Sequence, residues 1–391
     1  MIIKRALAPL IAAAVFAAVL FGCAETGPGI LSSGSDKTAS TVTDVKSAGG
    51  KDSPKVTEGS GSLTDVDVYA PPDDADGYGM HGIRFYENGG KTYMIYDDMK
   101  SVYEFDGTSF RETGVKTAQS MLFPYGRYGG YAFVAGSQKA AGGKRSGLFK
   151  VDLSTGKIGL FTDCKEIVTG AASDGSGIYY TTAETSGVNA ELRYADPVSG
   201  GSKSLYKWEN NIYYNGLRYA DGKLYFMKQN EICVFADGKM IDTLSVDEEA
   251  VITDFAVEDG IVYVYGYLME TDGSGQTMFT FSVLAYGENG DLLGKVSESH
   301  PIAESNDLDK YYVGSNCDRL TVYEGRIVAF DAEGFYLLDV PSGEFEKIAP
   351  AFPVVYRLEI SKTVYGGKLY LSFGDTVVEY GPDGSKEYKL G

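Results

Sequence analysis

Two histidines and one tryptophan are spread over 391 residues, and no HExxH, GxSxG or phosphate-cradling glycine loop is present. Chemistry centred on imidazole therefore has almost no groups to work with. Bases are also scarce, 35 Lys and Arg against 54 Asp and Glu, for a net charge of −19. An acidic chain of this kind is poorly suited to holding nucleic acid or an anionic lipid surface. Cysteine is rare as well. Setting Cys23 aside, Cys164, Cys233 and Cys317 remain, so at most one disulfide forms and at least one thiol is left over. Cys233, inside a strand pattern, reads as a small buried hydrophobe. No apolar run reaches the roughly 20 residues of a spanning helix. What the chain has in quantity is 50 Gly, 30 Tyr and 19 Phe, a mixture that suits short pleated segments joined by glycine turns.

The N-terminal segment has its own logic. Lys4 and Arg5 precede an apolar run from Ala6 to Phe21 that contains Pro9, and "LFGC" closes it. Charge, grease and a small residue in that order make a secretory signal. "LFGC" resembles the lipobox of bacterial lipoproteins, with Leu20 and Gly22 in their usual places and Phe21 a departure. The resemblance implies cleavage after residue 22 and a diacylglycerol on Cys23, and two or more acyl chains give lasting membrane attachment. From Ala24 to Ser62 the chain is Ser, Thr, Gly, Lys and Asp with almost no large apolar residue. Nothing there offsets the entropy of ordering it, so it reads as a flexible tether. The expected organisation is 1–22 signal peptide, 23–62 lipidated cysteine and linker, and 63–391 folded domain on the extracytoplasmic face of the cell membrane.

That domain repeats itself. "GGKTYMIY" from 89, "GGYAFVAG" from 129, "SGIYYTTA" from 176, "DGKLYFMK" from 221, "DGIVYVYG" from 259, "EGRIVAFD" from 324 and "GGKLYLSF" from 366 align on one glycine. Three residues later stand Tyr93, Phe133, Tyr180, Tyr225, Tyr263, Val328 and Tyr370. Neighbouring slots are apolar too, which means strands covered on both faces. A second strand follows each copy, as in "VYEFDG", "LFKVDL" and "FYLLDV", with Asp or Gly at its fifth position. These residues start and carry turns, so the strand continues as a hairpin. Four strands per unit, recurring about every 46 residues, predict an all-β, seven-bladed β-propeller of four-stranded antiparallel blades. A pair of β-sandwiches or an open solenoid are the rivals. The first and last units each hold their own four strands, so closure is expected from packing of whole blades, with "VDVY" at 66–69 available as an edge strand for the final blade.

The wording "LFKVDLSTGK" at 148–157 resembles the repeats of bacterial quinoprotein-like and YVTN-like propellers. The likeness implies the fold and no cofactor, because one tryptophan cannot supply the docking pattern of true quinoprotein repeats. At the same coarse level the chain is similar to propeller lipoproteins that scaffold outer-membrane assembly.

Function on a repeated scaffold usually sits where loops differ. The stretches 136–147, 182–191, 269–278 and 297–316 vary most and are expected on one face. Arg84, Arg127, Arg218, Arg319 and Arg357 fall on or near the innermost strands. As a ring they would hold an anion near the axis; as individuals they would pair with local carboxylates. His81 stands where the first blade begins, a place for a ligand contact or an ordinary turn histidine. "PPDDADGYG" at 71–79 and "ETDGSG" at 270–275 carry calcium-type oxygens without the spacing of a calcium loop and read as turns. No catalytic residue, metal or cofactor is assigned. The expected role is a monomeric binding or scaffold module for protein, peptide or glycan. The alternative is a hydrolase or lyase using carboxylates and Tyr at the central funnel.

Overall fold

The computed structural model describes residues 66–68, 83–96, 101–116, 126–140, 143–152, 154–155, 157–164, 166–184, 189–209, 216–228, 230–246, 251–301, 320–330, 333–350 and 360–390. All lie in the second of the two units into which the chain divides, Gly59–Gly391. After a short β1 (Val66–Val68), seven antiparallel sheets follow in chain order. Blade one is β2 (Ile83–Asn88), β3 (Lys91–Tyr96), β4 (Ser101–Phe105) and β5 (Phe110–Lys116). Blade two is β6 (Gly126–Tyr128), β7 (Tyr131–Ala140), β8 (Gly143–Asp152) and β9 (Ile158–Cys164). Blade three is β10 (Ile167–Ser173), β11 (Ile178–Ala183), β12 (Asn189–Ala195) and β13 (Ser202–Glu209). Blade four is β14 (Leu217–Ala220), β15 (Lys223–Lys228), β16 (Glu231–Ala236) and β17 (Lys239–Ser245). Blade five is β18 (Val251–Glu258), β19 (Ile261–Thr271), β20 (Thr277–Tyr286) and β21 (Leu292–Pro301). Blade six is β22 (Val322–Tyr323), β23 (Arg326–Phe330), β24 (Gly334–Asp339) and β25 (Glu344–Pro350). Blade seven is β26 (Ser361–Tyr365), β27 (Lys368–Phe373), β28 (Thr376–Gly381) and β29 (Gly384–Lys389). The fold is the expected all-β propeller of seven four-stranded blades.

The repeated glycine has a local cause. In four blades both residues of the first turn have positive φ: Gly89 and Gly90, Asp221 and Gly222, Asp259 and Gly260, Gly366 and Gly367. Glu324 and Gly325 add a fifth. That is the two-residue turn whose twist matches its flanking strands, and glycine takes it without steric cost. The third-to-fourth turns use aspartate instead. Oδ1 of Asp106 accepts the N–H groups of Thr108 and Ser109 at 2.8 Å each, and Oδ1 of Asp196 accepts those of Val198 and Ser199 at 2.9 and 2.7 Å.

Among the described residues, six apolar clusters each join one blade to the next. Phe133 and Leu148 meet Val168 and Tyr180; Trp208 and Leu192 meet Phe226 and Leu224; Tyr225 and Val234 meet Phe255 and Val264. Further on, Tyr263 and Tyr265 meet Ile327 and Leu338, while Val328 and Phe330 meet Leu369 and Leu371. The ring closes where Tyr370, Val377 and Tyr388 pack on Ile83, Met94 and Tyr96. Closure therefore comes from whole blades, sealed by the Ile83 N–H donating to Ser361 Oγ at 2.8 Å and by the Tyr96 hydroxyl donating to the Gly374 carbonyl. Hydroxyls tie other seams to the next blade's turn, as when Tyr263 donates to the Gly325 carbonyl at 2.6 Å. Burial raises that phenol's pKa to about 12, so it stays a donor at neutral pH.

Three expectations are corrected. First, Tyr93, Phe133, Tyr225, Tyr263, Val328 and Tyr370 face the following blade, but Tyr180 faces the preceding one and Tyr179 takes the forward position. In blade three, where Asp174 Oδ1 caps the Ser176 and Gly177 N–H groups, Ser173 pairs with Ile178 and the turn is centred on Gly175 and Ser176, so the aligned Gly177 lies one residue past the centre and the face is displaced by one. Second, β1 pairs with β7 of blade two, Val66 opposite Gln138 and Val68 opposite Gly136, rather than with the final blade. The three residues of β6 cover only Tyr131 to Phe133 of the ten-residue β7, which leaves an edge for β1. Third, 136–147 and 269–278 are mostly continued strand, because β7 and β8 pair out to Ala140 opposite Gly143, and β19 and β20 out to Thr271 opposite Thr277. Asp272 caps that last turn, its Oδ1 accepting the N–H groups of Ser274 and Gln276 at 2.8 and 2.9 Å.

Candidate functional site

Blade one presents a different surface to blade two. Across its four strands Tyr86 stands opposite Tyr93, Tyr93 opposite Glu104, and Glu104 opposite Arg111. Facing positions on neighbouring strands share a side of the sheet, so these four form one row. The matching row of blade five is Ala256, Tyr263 and Ala285, all inside an apolar cluster. Where blade five is dry, blade one is polar, and a cleft of about 460 Å³ opens against blade two. Tyr86, Asn88, Tyr93, Glu104 and Arg111 line it from one side, and Ser154 from blade two reaches it from the other.

Each part has a structural origin. Tyr86 is buried, and its ring stacks on the half-buried Tyr93 at 5.2 Å with 17° between planes. Asn88 is the last residue of β2 before the Gly89–Gly90 turn. Glu104 receives Lys91 Nζ at 3.0 Å and Arg111 Nη2 at 3.1 Å. Those partners, Lys91 foremost, together outweigh the opposing effect of burial and hold its carboxyl below the ordinary range. Glu112 accepts a hydrogen bond from Ser101 Oγ at 2.9 Å. The lining residues sit within a few positions of the first-to-second and third-to-fourth turns. The cleft therefore opens on the rim opposite the extended second-to-third hairpins.

Of the five arginines, Arg218 on β14 is fully described. Its Nη2 donates to Asp254 Oδ1 of blade five at 2.8 Å, and Asp254 Oδ2 accepts the Leu320 N–H at the entry to blade six, also at 2.8 Å. Asp254 is buried, and the guanidinium carbon lies 5.5 Å from the Phe255 ring centre. This guanidinium links three blades. Register separates its neighbours: Arg218 is opposite Tyr225, Arg84 opposite Ile95 and Arg127 opposite Ala132. Counted from the aligned glycine these are three different positions, so the arginines do not repeat in register. The side chains of Arg84 and Arg127, and the whole of Cys23, His81, Arg319, Arg357 and Cys317, lie outside the described residues. Cys164 and Cys233 are buried free thiols, each pushed up by burial to about 11.

Arg218→Ala is expected to lower stability by about 2 kcal/mol, because it strips a buried carboxylate of its partner while the partly exposed site admits water. Thermal unfolding in 10 mM phosphate decides between the readings of this arginine: a melting temperature unchanged by phosphate supports the ion pair, and a phosphate-dependent rise in the wild type that the variant lacks supports an anion site.

Reading the strands one by one missed the cleft. The third residue of the second strand, Glu104 in "VYEFDG", gave little signal: other copies have Tyr194, Phe235, Ala285 and Leu337 there, but two have the charged Lys150 and Glu379.

No family model and no curated protein matches the sequence. Among solved structures, a chain of the hydrazine synthase of Kuenenia stuttgartiensis is 12% identical, with 80% of this chain and 96% of that chain covered at a TM-score of 0.50. Apo AztD from Citrobacter koseri is 16% identical, covering 68% and 70% at a TM-score of 0.36. A chain of a nidogen/laminin complex is 12% identical, covering 55% and 78% at 0.37. At such identities the likeness to the hydrazine synthase chain is one of fold alone.

Proposed function

We propose that this protein is a membrane-tethered, extracytoplasmic β-propeller that serves as a binding or scaffold module for a protein, peptide or glycan, held to the bilayer through a diacylglycerol on Cys23. The observation that carries the binding role is the polar cleft in a ring whose other described seams are packed with apolar side chains. A polar opening among the described seams suits recognition, since little order is lost when a ligand enters a preformed site. The extended β7–β8 and β19–β20 hairpins give the opposite rim two stiff projections for a larger partner. A hydrolase or lyase would draw on Glu104 and Glu112. Held ionised by Lys91 and Arg111, Glu104 is a poor proton donor at neutral pH.

The test is crosslinking in intact cells followed by pull-down, comparing the wild type with a variant in which Asp272–Gln276 is replaced by a two-residue turn. A partner captured by the wild type and lost from the shortened hairpin is the expected result; identical capture by both removes the hairpin from the proposal. In the same cells Cys23→Ala is expected to move the protein out of the membrane fraction, and its retention there would refute the lipid anchor.

A further inference from the structure

We infer that the cleft between blades one and two is a subsite for a neutral saccharide, an inference that rests on the binding role proposed above. One wall of the cleft is the face of a sheet. The central strands β3 and β4 spend their backbone groups on ladder neighbours at both sides, and the row Tyr86, Tyr93, Glu104 and Arg111 lies on the sheet's face rather than along the free outer edge of β5. A ligand is therefore read by side chains alone, whereas an extended peptide is recognised through main-chain bonds to a free strand edge.

Charge narrows the chemistry further. The described lining holds one cation, Arg111, and that cation is bound to Glu104 at 3.1 Å with Glu112 nearby in the same lining. An anionic ligand would meet the carboxylates of Glu104 and Glu112, which Lys91 and Arg111 no more than balance, on a protein of net charge −19. A cationic ligand would compete with both Lys91 and Arg111 for a carboxylate already satisfied. A neutral ligand suffers neither effect. An apolar one would strip water from the ionised Glu104, Glu112 and Arg111 side chains and return nothing for it.

The remaining class is polyhydroxylated and uncharged. The Asn88 amide, the Glu104 carboxylate and the Arg111 guanidinium are planar groups with paired donors or acceptors, a geometry that matches two adjacent sugar hydroxyls. Thr113 and Ser154 add hydroxyl oxygens as acceptors, their protons being donated to the Val102 carbonyl at 2.8 Å and to Asp152 Oδ1 at 2.6 Å. The half-buried Tyr93 ring, stacked on the buried Tyr86, supplies an aromatic contact whose electron-rich π system attracts the weakly positive C–H face of a pyranose. The volume of about 460 Å³ falls in the usual range for small-ligand sites and has room for the end of an oligosaccharide.

The experiment uses the full mature chain in a detergent without a sugar headgroup. Calorimetry and saturation-transfer NMR would be run with the trisaccharides of N-acetylglucosamine, glucose (β-1,4 and α-1,4) and xylose, and with trigalacturonate as the anionic counterpart. At least one neutral trisaccharide is expected to bind with a millimolar or tighter Kd, and trigalacturonate about tenfold more weakly. Asn88→Ala and Arg111→Ala are each expected to weaken binding about fivefold. Both sites are accessible, the Arg111 side chain being 74% exposed, so melting temperatures should match the wild type. Binding of no neutral trisaccharide, a preference for trigalacturonate, or unchanged affinity in both variants would overturn the inference. If the pull-down still captures a partner, the saccharide subsite alone is lost; if neither experiment finds a ligand, the binding role falls with it.

Discussion

Phe226→Ala is expected to cost about 4 kcal/mol, the largest effect of any change considered. The ring is fully buried on β15, 4.8 Å from Trp208 and 6.0 Å from Tyr206 across the seam between blades three and four. Truncation removes its transfer energy and leaves a void that two β-sheets, each held by its own ladder, cannot collapse to fill. Trp208 is the chain's only tryptophan, so its fluorescence reports this seam directly. With a urea dependence of about 3 kcal/mol per molar, the unfolding midpoint should fall by more than about 1 M. In the wild type, fluorescence and far-UV circular dichroism should change together, since each blade is shared between two seams. A shift in fluorescence without one in circular dichroism would mean that the seam opens on its own.

Glu379→Gln is expected to cost about 3 kcal/mol at neutral pH. The carboxylate is buried on β28, beside the closing seam. Its Oε2 accepts the Tyr388 and Tyr370 hydroxyls at 2.8 and 3.1 Å, and Oε1 receives Lys368 Nζ. Burial alone would raise its pKa, but the bonds from Lys368, Tyr388 and Tyr370 outweigh burial and hold it below the ordinary carboxylate value. The two phenols are displaced upward, by burial first and then by the carboxylate they serve. An amide keeps one acceptor but brings two N–H donors toward Lys368 and the phenols. The depressed carboxylate also sets a direction with pH. Its stabilisation is complete above the unfolded-state pKa of about 4.3 and is lost as pH falls through the lower folded value. Urea titrations at pH 7 and in the acid range below 4 should show the gap between wild type and variant closing as the solution is acidified. A gap that stays constant would mean the group is not ionised in the folded protein.

Much of the architecture was legible because turns are local. A two-residue turn with positive φ at both positions demands Gly-Gly, Asp-Gly or a close substitute, and five blades with those dipeptides have that backbone. The third-to-fourth turns were legible for the same reason, since Asp106 and Asp196 cap N–H groups two and three residues away. Face assignment carried less far. In blade three the turn is centred on Gly175 and Ser176, so the aligned Gly177 stands one residue past its counterparts and the roles of Tyr179 and Tyr180 are exchanged, because a strand alternates every residue. Strand length was misjudged where polar residues continue a ladder, as where Ser137 pairs with Ser146 and Gln138 with Arg145.

The candidate site was the least legible part. Arg218 drew notice as a possible anion ligand, yet its partner Asp254 is 36 residues away and the Leu320 N–H is farther still. Glu104 and Arg111 drew none, because neither residue is unusual in its own strand. Both lie within a single blade, but the polar row they form becomes a cleft only when blade two stands against it.

Residue order alone determined what depends on neighbours a few positions apart: the hairpins, their number and their period, and so the seven-bladed ring. Tertiary structure decided which side chains meet across a seam, how the ends join, and which seam stays wet. The reason is the range of the forces involved. Turn chemistry acts over two to four residues, whereas a seam is shared by residues that the chain holds dozens to hundreds of positions apart, and no local pattern records whether the facing surface will be apolar.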